Sequence, residues 1–259
     1  MSSKVLRTLP FALVLALAGT WAFAAPTPPP PGAVELLRLT PTAGGGQAYS
    51  LTLQALGLIT LLTLLPAIVL SMTAFTRIVI VLSLLRQAMG TAQTPPNQVI
   101  VGLALFLSFF VMAPTFDEVQ KVALTPYVQD KLPFEQALPR AVVPMKKFML
   151  AQTRESDVKM FMDLGKVGPV QAPMDTPLTV LVPAFLTSEL RTAFTIGFLI
   201  YIPFLVIDVI VASVLMSMGM MMVSPVVISL PFKFLLFVLV DGWALILGSL
   251  AASFGAPAP

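Results

Sequence analysis

The stretch from Leu178 to Met218 constrains this chain most. It holds Glu189, Arg191 and Asp208 as its only charges. It is about 40 residues long, where a membrane span needs about 20. One very long helix fits such a run, and so does a helical hairpin broken near Tyr201-Ile202-Pro203. A second apolar run follows from Val226 to Phe254, with Pro231 and Gly242 as kink points. Two more lie upstream. "LTLQALGLITLLTLLPAIVLSMTA" (Leu51 to Ala74) is long enough to span, and Pro66 predicts a kink in it. "VIVGLALFLSFFVMAP" ends at Pro114. Between these two, "RIVIVLSLLRQAMG" (Arg77 to Gly90) is too short to span alone, and "TPPNQ" (Thr94 to Gln98) is a turn, because paired prolines stop the preceding helix.

Composition agrees. The chain is 57% hydrophobic and 10% charged, with a mean hydropathy of +0.93. Soluble domains carry about 25% charge, so this is a membrane-embedded or membrane-associated protein, or a subunit of a very apolar assembly. The net charge is +3 with Lys4 and Arg7 included, and no basic patch with interleaved aromatics argues for nucleic acid. Cysteine and histidine are absent, which excludes disulfides, Cys/His zinc sites and Ser-His-Asp triads. Neither a GxxxxGK[ST] nor a GxGxxG motif occurs. Asp117-Glu118 is an acidic pair of the kind that opens a solvated helix, not a metal site. The expectation is a non-enzyme with no cofactor and no bound metal.

The N-terminus reads as a cleavable signal peptide over residues 1–24. Lys4 and Arg7 precede the short apolar "FALVLALAGTWA", and Ala22-Phe23-Ala24 supplies the small-x-small pattern, with cleavage at Ala24. Residues 25–49 form a Pro/Gly-rich linker, with polyproline II favoured in "APTPPPPG" and flexibility in "TPTAGGG". Residues 50–114 are the first apolar helical half and 178–255 the second. Between them, 115–177 is a polar insertion carrying over half the charges of the chain. Its "FEQALPRAVVPMKKFMLAQTRESDVKMFMDLG" reads as amphipathic helix, with Phe148, Leu150 or Ala151, Val158, Phe161 and Met162 at near-helical spacing. Alternating strand patterns are not evident. With the N-terminus outside, the insertion is nominally periplasmic, and Arg77, Arg86, the "TPPNQ" turn and the loop near Gly219 lie on the inner side. The positive-inside rule supports this orientation only weakly, since that loop has no Lys or Arg.

Charges within apolar segments are costly and are usually paired or functional. Asp208 and Lys233 have no opposite charge three or four residues away, so their partners lie on another helix or another subunit. A tertiary salt bridge, an intersubunit pair and a proton or ion relay are the three open readings. "GMMMVSP" (Gly219 to Pro225) breaks the second apolar half. Its three consecutive methionines cannot share one helix face, because neighbours point about 100° apart.

"LSMTAFTRIVIVLSLLRQAMGTAQTPPNQVIVGLALFLSFFVMAP" (Leu70 to Pro114) resembles the FliP family of flagellar type III export proteins. So does "VPAFLTSELRTAFTIGFLIYIPFLVIDVIVASVLMSMGMMMVSPVVISLPFKFLLFVLVDGWALILGSL" (Val182 to Leu250). The resemblance implies an all-α fold of membrane-associated helical hairpins with the polar helical insertion, assembling into a helical ring or cone-shaped pore complex. It implies a core subunit of the flagellar export gate in the bacterial inner membrane and basal body. Its partners would be further copies in a pentamer, FliQ-like and FliR-like subunits, a FliO-like assembly factor, FlhA/FlhB-like gate proteins and unfolded flagellar substrates. Met220, Met221 and Met222 match the family's pore gasket. Glu189, Arg191, Asp208 and Lys233 match charged positions that make structural or intersubunit contacts. The virulence-type injectisome subunits are the near alternative, and the signal peptide favours the flagellar branch. A proton-coupled small-solute transporter, with Asp208 as its acid, is the rival from another class.

Overall fold

The computed structural model describes residues 37–41, 47–51, 53–91, 93–220 and 222–255. The signal peptide with Ala24, and Met221 of the methionine run, lie outside them. The chain divides into two units, Met1–Leu62 and Thr63–Pro259. In the first, β1 (Leu37–Pro41) and β2 (Gln47–Leu51) pair antiparallel, with Leu39 opposite Tyr49. This hairpin lies mostly within the stretch read as linker. Its "LRLTP" and "QAYSL" alternate, but over too few residues, among too many Pro and Gly, for the pattern to stand out.

From Leu53 onward every regular element among the described residues is helical. In chain order these are α1 (Leu53–Ser71), α2 (Phe75–Ala88), α3 (Asn97–Val119), a π-helical stretch (Gln120–Leu124), α4 (Thr125–Val128), α5 (Phe134–Gln152), α6 (Glu155–Leu164), a 3-10 turn (Pro173–Asp175), α7 (Leu178–Ser217), α8 (Pro225–Leu239) and α9 (Gly242–Ala252). Several helices contain a proline in their interior. α1 runs through Pro66, and the chain bends by 72° at Met72–Ala74. α3 runs through Pro114 and continues by way of the π segment to Val128. α7 runs through Pro203 as one helix of 40 residues, which is about 60 Å at 1.5 Å per residue. Among the described residues, two helices are long and apolar enough to cross a membrane, Asn97–Val128 and Leu178–Ser217, or up to four if each bent pair counts as one span.

The core of the second unit is built around α2. Ile78, Val81, Leu82, Leu85 and Ala88, at three- and four-residue spacing, are all buried. They join a cluster with Ile100, Ala104 and Met112 of α3, Ala193 and Phe204 of α7, Phe237 of α8, and Ile246 and Leu250 of α9. α3 contributes one narrow stripe, Ile100, Ala104, Ser108 and Met112, and exposes Phe106, Phe109 and Phe110. α2 and α7 meet at Gly197, where a Cβ would collide with the Leu84 side chain. Beyond Phe204, Leu215 is the one further residue of α7 that is buried, so its second half projects from the core.

The polar segment read as one amphipathic helix is two. α5 ends at Gln152, and Thr153 and Arg154 are extended. Ser188 of α7 holds this break open. Its hydroxyl donates to the Gln152 carbonyl (3.2 Å) and accepts from the Arg154 N–H (3.2 Å), supplying bonds that a continuous helix would have made internally. Phe148 of α5 packs edge-on against Phe185 of α7 and stacks on Phe254. Asp117 and Glu118 fall in the last turn of α3, not at a helix start.

Candidate functional site

Three ion pairs and one turn hold the residues singled out in the sequence. The first pair is buried. Arg77 on α2 donates from Nε to Glu189 Oε2 at 2.8 Å and from Nη2 to Glu189 Oε1. Nη2 also donates to Gln152 Oε1 (3.0 Å), and Nη1 donates to the carbonyl (3.2 Å) and hydroxyl (3.1 Å) oxygens of Ser253. All five guanidinium protons therefore have acceptors, which is the condition under which a buried arginine is tolerated. The Phe254 ring covers the cation, with Cζ at 3.9 Å from the ring centroid. Gln152 completes the knot by donating to the Phe254 carbonyl at 3.1 Å. Arg77 is 2% exposed and Glu189 is fully buried. One residue thus ties α2, α5, α7 and the segment after α9 together. The sequence placed Arg77 with Arg86 and the proline turn. The structure instead puts it beside Gln152, at the end of α2 that meets the polar insertion.

The second pair closes within one chain what the sequence left open between chains. Lys233 Nζ donates to Asp208 Oδ2 at 2.6 Å and to the Ala88 carbonyl at 3.1 Å. Ser229, one turn earlier on α8, donates to Asp208 Oδ1. Serine and lysine four residues apart share a helix face, so α8 presents both donors to one carboxylate. The ammonium also caps α2, since Ala88 is its last helical residue and a cation is favoured beside exposed C-terminal carbonyls. The Lys233 side chain is 2% exposed and that of Asp208 21%. The third pair, Arg191 to Asp157 at 3.0 Å, pins α6 to α7. Here Asp157 is buried and Arg191 is half exposed, so this bond is the most screened of the three.

The turn begins where α7 ends. Met218 is the C-cap and Gly219 has φ +75°. The Gly219 N–H bonds the Met216 carbonyl (3.1 Å) and the Met220 N–H bonds the Leu215 carbonyl (3.0 Å). This is the Schellman pattern, with glycine at the left-handed position where other residues are strained. Met218, Met220 and Met222 are exposed. α8 then starts at Pro225, whose missing N–H costs nothing in a first helical turn. The two apolar helices flanking the turn leave an apolar groove of about 430 Å³ beside it, lined by Ile207, Ile210, Val214, Leu215, Ile228 and Phe232 among others.

The sequence singled out Glu189, Arg191, Asp208 and Lys233 as charges to be explained. It did not reveal Asp157 as the partner of Arg191, Ser229 as a donor to Asp208, or Gln152 and Ser253 as acceptors around the Arg77 that meets Glu189. Serines and a glutamine spread over the chain carry no signal until the helices are packed. The Ser229–Lys233 spacing is the one hint that was present.

The family model described as FliP family matches residues 58–250. The chain is 58% identical over 210 residues to "Flagellar biosynthetic protein FliP" of Cereibacter sphaeroides, covering 81% of this chain and 70% of that protein. It is 58% identical over 214 residues to the protein of the same name from Pectobacterium carotovorum subsp. carotovorum, covering 83% of each. Against that of Bacillus subtilis (strain 168) it is 57% identical over 205 residues, covering 79% of this chain and 93% of that protein.

Proposed function

The chain belongs to the FliP family, and on that premise we propose that this membrane subunit of the flagellar export apparatus seals an export pore with its Met turn. The observation that carries the reading is the turn itself. Exposed thioether side chains crowd a backbone locked by Gly219, at the tip of a helix hairpin that projects beyond the core. Unbranched thioethers re-pack around varied shapes. A ring of such turns closes on itself at rest and yields to an unfolded flagellar subunit in transit. Met220, Met221 and Met222 are the residues of this seal. Under this reading the chain works as a pentamer with FliQ-like and FliR-like subunits and FlhA/FlhB-like gate proteins, assembled with a FliO-like factor in the inner membrane at the flagellar basal body. It has no catalytic role. The flagellar names of the relatives favour this branch over the injectisome.

Replacing Met220, Met221 and Met222 together by alanine tests the seal. The expected outcome is leakage of ions and small solutes in cells that still export flagellar subunits. A tight barrier with normal export overturns the reading.

Glu189 and Asp208 each meet a cation of their own chain. That supports a packing role for these acids over a proton relay and over intersubunit pairing. Asp208→Asn distinguishes packing from coupling. A packing role predicts loss of assembled complex, seen as a missing oligomer on native gels. An assembled complex that is inactive would restore the transporter reading.

A further inference from the structure

The break between α5 and α6 is made from outside the segment it divides. The amphipathic pattern of Phe148, Leu150, Val158, Phe161 and Met162 runs through it, and no glycine or proline stands between Ala151 and Asp157. α5 ends at Gln152 with Thr153 extended, not with the left-handed residue that commonly stops a helix. α6 starts after Arg154, a poor N-cap residue that makes no side-chain cap bond. What holds the two ends apart is Ser188 of α7, through its bonds to the Gln152 carbonyl and the Arg154 N–H. α6 itself is lightly held. Asp157 is its one buried residue, and it reaches α7 through the half-exposed Arg191. Two buried polar atoms flank the break without a hydrogen-bond partner among the described residues, Arg154 Nε and Asp157 Oδ2. Their side chains are of opposite charge and three residues apart, a spacing that sets side chains beside each other on an unbroken helix.

We propose that residues 152–157 form a two-state joint, broken while Ser188 and Arg191 of α7 hold it and continuous when α7 withdraws them. In the continuous state the Glu155 and Ser156 N–H groups, which open α6 without a carbonyl partner, donate to Ala151 and Gln152 as in any α-helix. The Arg154 N–H exchanges Ser188 for the Leu150 carbonyl, and Asp157 exchanges Arg191 for Arg154. Each bond lost to α7 thus has a counterpart within the helix, so a shift of α7 suffices to choose between the states. α5 stays in place, because Gln152 remains tied to Arg77 and Phe254. α6 swings off α7 and prolongs α5 into one helix over residues 134–164, about 46 Å long. The joint therefore transmits the position of α7 to the polar insertion. This rests on the chain's place in the export apparatus and not on the Met turn being a seal.

The test uses the full-length protein in its assembled complex. Hydrogen exchange with residue-level readout is compared between wild type and Ser188→Ala. The joint predicts severalfold slower exchange at Glu155 and Ser156 in the variant, because both amides gain carbonyl partners. A serine that only braces the fold predicts the reverse, so faster or unchanged exchange there overturns the proposal. Glu155→Pro works in the other direction and locks the broken state. Arg154 is already extended, as suits the residue before a proline, and the first position of α6 has no backbone hydrogen bond to lose. The continuous helix, by contrast, would lose its bond to Ala151 and clash with the ring. This variant is expected to assemble, to melt no lower than wild type, and to export flagellar subunits severalfold less. Normal export overturns the proposal, and so does failure to assemble, since the broken joint accommodates proline. The seal is judged by the alanine variant of the Met turn, whose result bears on neither readout.

Discussion

At the residue scale, the two buried clamps differ in what they can lose. Arg77→Ala strands a fully buried Glu189 and removes the acceptors' partner at Gln152 and Ser253. Breaking a buried pair in this way costs about 3–5 kcal/mol. Arg77→Lys is not conservative here, because an ammonium has three donors and no planar fork to match five acceptors. Lys233→Ala is expected to cost less, since Asp208 keeps the Ser229 hydroxyl and some contact with solvent. Thermal unfolding of the detergent-solubilised protein checks the order, with Arg77→Ala the lower melting of the two. The sequence marked these acids and bases as expensive, because a charge in an apolar run is visible in one dimension. Their pairing was not visible. Arg77 and Glu189 lie 112 residues apart, and nothing local links them.

At the element scale, the ends of helices were more legible than their middles. Gly219 and the Ser-Pro pair marked the break after α7, because a left-handed C-cap and a proline at a helix start each have a residue signature. Pro114 misled in the other direction, since α3 continues through it, and at Pro203, where a long helix and a broken hairpin were both open, the helix runs on. A lone proline removes one backbone hydrogen bond, a loss that a long apolar helix can absorb. Gly197 shows what packing asks of one position, since α7 can approach α2 only where no Cβ meets Leu84. Gly197→Ala should therefore destabilise the helix pair, and Leu84→Ala on top of it should recover part of the loss. A double-mutant cycle on unfolding midpoints measures the coupling; simple additivity of the two changes would refute the contact. Gly219→Ala meets no neighbouring atom, so its cost is backbone strain alone, about 1 kcal/mol.

At the scale of the molecule, the second unit is a core wrapped around α2, with α7 as the longest element attached to it. Glu189 anchors the near part of α7 and Asp208 the far part, about 28 Å apart along the helix axis. The Met turn lies beyond both. Hydrogen exchange should follow this plan, with the amides of α2 slowest and those of Met222 and Ser224, past the helix cap, among the fastest. Slow exchange throughout the turn would contradict it. The sequence by itself determined that the chain is predominantly apolar and helical, that a polar insertion divides two apolar halves, and that the second half turns at Gly219. Those properties follow from hydropathy, period and turn chemistry, all of which are local. Only the tertiary structure decided that α7 is one helix, that the amphipathic segment breaks at Thr153, and that Arg77 belongs with Glu189 and Asp208 with Lys233. A helix passes through a proline or stops, and a charge finds its partner, according to what packs against it, and that is set by distances in space that chain order does not record.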